Sequence, residues 1–521
     1  MDDESKTVLM LRSLHCCQRC VLRFLGRKNI HVYANPLESC PSLWKLEDGE
    51  GGPKQASTDS EVDHNPDQAK QSELKSEGSK DGEICPACLG ILQSLCDEQT
   101  VEKICCDVEA LKYDFKTYML TLALPLQLDI RQHCLLTHLN EICKLSLKST
   151  DITPIKDVFK WVCGRLFSYR FKVRFSPKSS FEVGLSFEHQ ETQGEVDTLY
   201  DEVTDKEPAH KRQKFWKNSH KKKEGPTKQL IGSALRGLTS RHLKRLLPHP
   251  PVIPQSGSSY SIECLHESVF LAGRYTKHSR HLSQTPWILE GERKTESSVE
   301  EHICEPIQEA LRAADYRFAS SGREDVDVRT LGKGRPFVVE VVNPRKNIVC
   351  VEECKGLQEE INKRTSDVGV RDLQIVGKDA TMKLKEGETE KKKSYMALVR
   401  VAAPVSQENL DKLNTDQEIV LKQKTPIRVL HRRPLATRER SVHSMTTERI
   451  DDLNFKLFLC TQAGTYIKEF VHGDLGRTQP NVGTILNTDA DITELDVTAV
   501  HVDWPPELDD SSKRTHTDIN N

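Results

Sequence analysis

Two short cysteine pairs, Cys17 with Cys20 and Cys85 with Cys88, repeat the Cys-x-x-Cys spacing far apart along the chain. Together they restrict what the first hundred residues can fold into, because four thiolates complete the shell of one tetrahedral structural zinc. If they share an ion, the 64 residues between the pairs form a closed loop. Compact zinc modules use spacings of about 12 to 20 residues. The length-dependent cost of closing the longer loop is nevertheless only about 4 kcal/mol, against roughly 10 to 16 kcal/mol that structural zinc contributes in small peptides. Cys16 is the alternative to Cys17, one residue further from Cys20, and the plain alternative to a metal is a set of buried thiols.

Residues Glu47 to Asp81, inside that loop, are rich in Ser, Glu, Lys, Asp and Gly and almost lack large apolar side chains. Burial there cannot offset the entropy of ordering, so a disordered insertion is expected. The chain has 521 residues, too many for one core, and two to four domains are expected. No apolar run approaches the roughly 18 residues that span a bilayer, and the start, MDDESKTVLMLRS, is acidic, unlike a secretory signal. An intracellular setting follows, in which the 17 cysteines, nine of them before residue 107, are thiols or ligands before they are disulfides.

The net charge of −3 conceals a basic segment. Lys206 to Arg245 holds thirteen Lys or Arg against Glu207 and Glu224, a local +11 that leaves −14 elsewhere. Such a patch suits a polyanion, and its core Lys211 to Lys223 reads equally well as a solvated linker or a nuclear localisation signal.

Leu120 to Asp201 mixes periods: Cys134 to Leu147 recurs at helical spacing, while Phe171 to Phe175 and Phe181 to Phe187 alternate as strands, giving an α+β module. After Pro248 to Pro254 a last α+β domain runs from about Leu271 to Pro506. In it Ser297 and Glu300 have capping-box spacing for a helix whose apolar face, Val299, Ile303, Ile307 and Leu311, is interrupted by Pro306. Strands are expected at Phe337 to Val342, Asp372 to Val376, Ser394 to Val401 and Phe455 to Cys460. A polar, disordered tail follows Leu508.

Ser321 to Phe337 packs Glu324, Asp325 and Asp327 among Arg323, Arg329 and Arg335, with glycines at 322, 332 and 334. The segment does not read as an ordinary helix or core strand but as a loop between helix and strand, where functional carboxylates tend to sit. The arginines argue against a divalent metal and favour an ionised carboxylate, a nucleophile or base rather than a general acid. The competing reading is a salt-bridged surface turn. Further on, in Phe455 to Thr478, a strand runs into Gly464 and a helix carrying Ile467 and Lys468. A lysine at a helix start opposes the dipole, so it is expected to have a specific anionic partner or to face solvent.

At this point the residues resemble a family. GREDVDVRTLG, Gly322 to Gly332, resembles the catalytic-aspartate motif of pseudouridine synthases; KSYMALV, Lys393 to Val399, resembles their second motif and GTYIKEFVHGDLG, Gly464 to Gly476, their third. With the Cys-x-x-Cys pairs, AGRYTKHSRHLSQTPW (Ala272 to Trp287), RPFVVEVVNPR (Arg335 to Arg345) and TPIRVLHRRPLATR (Thr425 to Arg438), the whole is similar to the Pus-ten tRNA pseudouridine synthases of archaea and eukaryotes.

The resemblance implies a pseudouridine synthase-type α+β catalytic domain with a central antiparallel or mixed sheet over residues 271–506. It also implies an N-terminal accessory domain over 1–270 that binds zinc through Cys17, Cys20, Cys85 and Cys88 and includes a THUMP-like RNA-binding module; residues 507–521 form a tail. Asp325 would be the nucleophile, with Asp327 a candidate if the loop is displaced by two. Lys468 would pair with Asp325, Tyr395 would stack on the uracil, and Ile467 and Leu495 would line the pocket. Arg323 would hold the RNA backbone open, and Arg432 and Arg433, within the basic stretch Arg428 to Arg440, would contact RNA. The implied partner is tRNA, at position 54 or 55 of the TΨC arm, with other structured RNA or RNA-processing proteins as further partners, zinc as the one structural cofactor and none for catalysis. A monomer off the membrane, in nucleus and cytoplasm with the mitochondrion left open, completes the expectation. The competing function is a zinc-stabilised RNA-binding factor without catalysis; a metal-dependent nuclease ranks third.

Overall fold

The computed structural model describes residues 2–45, 83–205, 226–347, 350–380, 382, 384, 391–431 and 433–508. The expected disordered insertion, the Lys211 to Lys223 cluster, Arg432 and nearly all of the tail lie outside these residues. The chain folds as two compact units, 1–112 with 116–265 and 113–115 with 266–521. Among the described residues no helix is long and apolar enough to cross a membrane.

The principal elements of the first unit are α1 (Asp3–Ser13), α2 (Gln18–Phe24), α3 (Glu98–Ala110), β1 (Thr117–Ala123), α4 (Gln127–Ile142), α5 (Ile155–Phe171), β2 (Arg174–Phe175), β3 (Phe181–Glu188), α6 (Gln193–Asp205), α7 (Lys228–Gly237), α8 (Ser240–Leu246) and β4 (Ser259–His266). Its sheet runs β2-β1-β3-β4, with β1 parallel to both β2 and β3. The alternation over Phe181 to Phe187 becomes β3, whose Phe181, Val183, Leu185 and Phe187 are buried. Two readings shift. The helix expected from Cys134 begins earlier, at Gln127, and ends at Ile142, and the aromatics before Phe175 belong to α5, which runs to Phe171 before Lys172 turns left-handed at φ 56°.

The second unit contains β5 (Val269–Lys277), α9 (Val299–Leu311), β6 (Ala313–Ser320), β7 (Val328–Pro344), α10 (Val351–Arg364), β8 (Val368–Val376), β9 (Lys393–Val401), β10 (Ile419–Lys424), β11 (Thr437–Arg449), β12 (Asn454–Thr461), α11 (Ile467–His472), β13 (Thr478–Gln479) and β14 (Ala490–Val500). Ten strands form one mixed sheet, β8-β5-β7-β14-β9-β12-β11-β10-β13, with β6 also on β7. Among the described residues only the β7–β14 pairing of this sheet is parallel, Val328 opposite Leu495.

Two large apolar cores form on this sheet, beside a smaller cluster around Phe270, Ala272 and Val338. One joins Val299, Ile303, Ile307 and Leu311 of α9 to Leu271, Tyr275, Phe337, Val339 and Val341. The other joins Val328, Ala397, Val399, Leu457, Leu495 and Val497 to Ile467, Phe470 and Val471 of α11. Helix α9 is capped by Ser298, one residue later than expected, whose Oγ accepts from the Glu301 amide. It also continues through Pro306 without a break.

Strand β7 corrects a larger expectation. Val328 to Pro336, read as loop before a strand at Phe337, is the first half of a 17-residue strand. Gly332 and Gly334 are needed there because neighbouring backbone comes close: an added Cβ would lie 2.3 Å from the Thr498 carbonyl oxygen and 2.6 Å from that of Tyr275. Their φ values of 63° and 77° are also left-handed.

Candidate metal centre and active site

Cys17 caps the start of α2 and Cys20 sits in its first turn, while Cys85 and Cys88 share one turn. All four Sγ atoms lie within 4.8 Å of one another, and Cys17 and Cys88 are 3.8 Å apart. Zn–S bonds of about 2.3 Å in a tetrahedron place sulfurs about 3.8 Å apart, so the group fits zinc. The Cys17 amide donates to Cys85 Sγ at 3.2 Å, and the buried Arg23 guanidinium donates to Cys20 Sγ at 3.6 Å, contacts that disperse thiolate charge. This is a structural metal site; Cys16 is not among its four thiols.

The carboxylates sit on residues 321–327, between β6 and β7, and point different ways. Glu324 faces inward, its side chain wholly buried against Arg335 at 2.8 Å and the Tyr275 hydroxyl at 2.9 Å. Asp325 is half-buried and faces the second core's edge, where Arg428 Nη1 donates to it at 2.8 Å and Lys468 Nζ lies 3.7 Å away. Asp327 is exposed and takes the closer contact of Lys468, at 2.7 and 2.9 Å. The expected Lys468–Asp325 pairing is therefore the longer of two. Burial alone would raise the Asp327 carboxyl, but the Lys468 hydrogen bond and charge outweigh it and hold the pKa below the ordinary value.

The backbone of this loop is held from one side by the end of β5 and the segment that follows it. Gln284 donates to the Gly322 carbonyl at 3.0 Å, and Lys277 donates to those of Asp325 and Val326 at 3.1 and 2.8 Å. Arg280 donates to the carbonyl of Asp327 at 3.0 Å, and Arg335 to that of Ser321 at 2.8 Å. Thus AGRYTKHSRHLSQTPW, quoted above only as a resemblance, supplies a rack of donors beneath the carboxylates. Arg280 and Arg329 both bind the fully buried Asp496, at 2.7 and 2.6 Å, tying the loop's exit to β14.

The apolar residues come from adjacent strands. Leu495 on β14 lies opposite Val328 and Ala397, and Tyr395 lies two residues along β9 from Ala397, opposite Val497. Tyr395 packs on the core that contains Leu495 and Ile467, and burial raises its phenol pKa against the opposing influence of Arg335. Ile467 opens α11, and Lys468 follows, its dipole-opposed position offset by the two aspartates.

Asp325, Asp327 and Lys468 thus meet, and Ile467, Leu495 and Tyr395 share one core. Arg323 and Arg433 are exposed. Sequence reasoning missed the part of Arg428, which bridges Asp325 to the buried Glu469 at 2.6 Å. Its segment read as basic and RNA-facing, and nothing in the spacing singled out the residue that reaches the loop. Lys277 was likewise missed, since a lysine closing a strand carries no sign that it will be wholly buried.

Comparison with known proteins bears on this arrangement. A family described as Pus10, C-terminal matches residues 270–501, and one described as eukaryotic Pus10, N-terminal matches residues 85–264. The tRNA pseudouridine synthase Pus10 of Xenopus laevis is 43% identical over 96% of this chain and 98% of its own length. The chain belongs to the Pus10 family. The Mus musculus member is 40% identical over 98% of this chain and 99% of its own, and the Homo sapiens member 44% over 82% and 80%. As a Pus10-family protein the chain is a pseudouridine synthase, an isomerase, and the non-catalytic reading gives way.

Proposed function

We propose that this Pus10-family chain isomerises uridine to pseudouridine in the TΨC arm of tRNA, at position 54 or 55, with Asp325 as nucleophile. The observation that carries the reading is the convergence of Asp325, Lys468 and Arg428 at the edge of the core on which Tyr395, Leu495 and Ile467 pack. The reaction cleaves the N-glycosidic bond, turns the uracil and rejoins it through carbon, with no redox change, so one ionised carboxylate beside cations is the chemistry it requires. Attack on the sugar, addition to the base and removal of the 2′ proton are all open to that carboxylate.

The nucleotide must first leave its stack, at a cost of a few kcal/mol. Tyr395 is the stacking platform, which contributes about 1 to 3 kcal/mol, and Ile467 and Leu495 exclude water around the base. Arg323, Arg432 and Arg433 contact phosphates, where charge-assisted bonds offset the rest. The first unit is a THUMP-like accessory domain that grips the tRNA and that zinc stabilises; arginine and aromatic groups meeting loops are the usual RNA mode. The protein works as a monomer in nucleus and cytoplasm. Incubation of the purified chain with an unmodified tRNA transcript, without added nucleotide, and mapping of pseudouridine tests the reading: product at 54 or 55 supports it, and product only elsewhere, or none, overturns it.

A further inference from the structure

Among the donors beneath the carboxylates, Lys277 is unusual because it is a fully buried ammonium. All three of its protons are used on backbone carbonyls: Leu282 at 2.7 Å, Val326 at 2.8 Å and Asp325 itself at 3.1 Å. An amine has only two protons and a lone pair. Three acceptors at these distances are therefore satisfied only by the charged form, and deprotonation turns one of the three contacts into a repulsion between lone pairs.

We propose that Lys277 is the positioning residue of the carboxylate loop, its ammonium fixing the Asp325 and Val326 peptides against Leu282 and so aiming the Asp325 side chain. The inference rests on the reading of Asp325 as nucleophile. The charged groups around Lys277 are Glu324, Asp325 and Asp327 on the loop and Arg335 on β7, with Arg280 donating to the Asp327 carbonyl close by. Burial pushes the ammonium down to about 8, against the pull of Glu324, Asp327 and Asp325, while Arg335 adds to the depression. A lysine that merely filled space would have no reason to couple activity to that titration. Lys277 does so because the loop's geometry changes when its third proton leaves.

The test is the single-turnover rate of pseudouridine formation, with tRNA affinity measured alongside, from about pH 6.5 to about pH 9.5. The parent, Lys277→Met and Lys277→Arg are compared, with Asp325→Asn as control. The parent's rate is expected to fall above about pH 8, roughly tenfold per unit. Lys277→Met, which has no proton to lose, is expected to be about tenfold or more slower near neutrality, flat across the range, and within about threefold in tRNA affinity. Lys277→Arg keeps its charge, so its limb moves out of the range whatever its absolute rate; it decides the matter if the Met variant does not fold. A parent without an alkaline limb, or a limb shared by parent and variants, overturns the inference. Asp325→Asn separates the two claims. Inactivity at every pH together with a shared limb sinks only the role of Lys277, whereas parent-like activity sinks the reading of Asp325.

Discussion

Lys468 lies 2.7 Å from Asp327 and 3.7 Å from Asp325, so one ammonium at the start of α11 serves two carboxylates. The nearer is exposed and the other is half-buried beside Arg428. If Asp325 is the nucleophile, Asp327 holds Lys468 in place without reacting. Asp327→Asn, which keeps a hydrogen-bond acceptor, is then expected to stay within about tenfold of the parent rate, whereas Lys468→Met falls roughly a hundredfold. Single-turnover kinetics on a tRNA transcript measures both, and the reverse ranking would make Asp327 the reacting group.

Glu324 and Arg335 form an ion pair with both side chains almost wholly buried. Removing one partner leaves a buried charge unmatched, which costs about 3 to 5 kcal/mol. Glu324→Ala is expected to lower the denaturant midpoint of the second unit accordingly. An unchanged midpoint would mean that water reaches Arg335 freely.

How much of this was legible beforehand depends on the type of interaction. The strands Ser394 to Val401 and Phe455 to Cys460 were read to within one residue at each end, because alternation survives where one face is buried. The first half of β7 was not read, since Gly332, Gly334 and Pro336 look like turn residues; the two glycines are required by close approach of the Thr498 and Tyr275 backbones, a tertiary fact. Asp325, Tyr395, Ile467, Lys468 and Leu495 stood out by motif. Arg428 and Lys277 did not, because a cation's partner on a distant loop leaves no periodic trace.

Zinc content tests the metal centre. Cys85→Ser is expected to lose about one equivalent of zinc, and Cys16→Ser to keep it. Loss in Cys16→Ser with retention in Cys85→Ser would redraw the ligand set.

Lys277 also predicts how stability follows pH. Its ammonium titrates near 10.5 when unfolded and at about 8 when folded, so between those values the unfolded chain holds the extra proton. Stability attributable to Lys277 therefore rises with pH across that window, by on the order of 3 kcal/mol, and is flat below it. The check is urea unfolding of parent against Lys277→Met, whose difference should narrow or change sign between about pH 7.5 and about pH 10. A constant difference would place the titration elsewhere.

The central claim is that Asp325 carries the reaction. Its most direct test is pseudouridine formation by Asp325→Asn under single-turnover conditions, with tRNA affinity measured on the same preparation. The account predicts no product while affinity stays within about threefold of the parent. Product formed at the parent rate would contradict it.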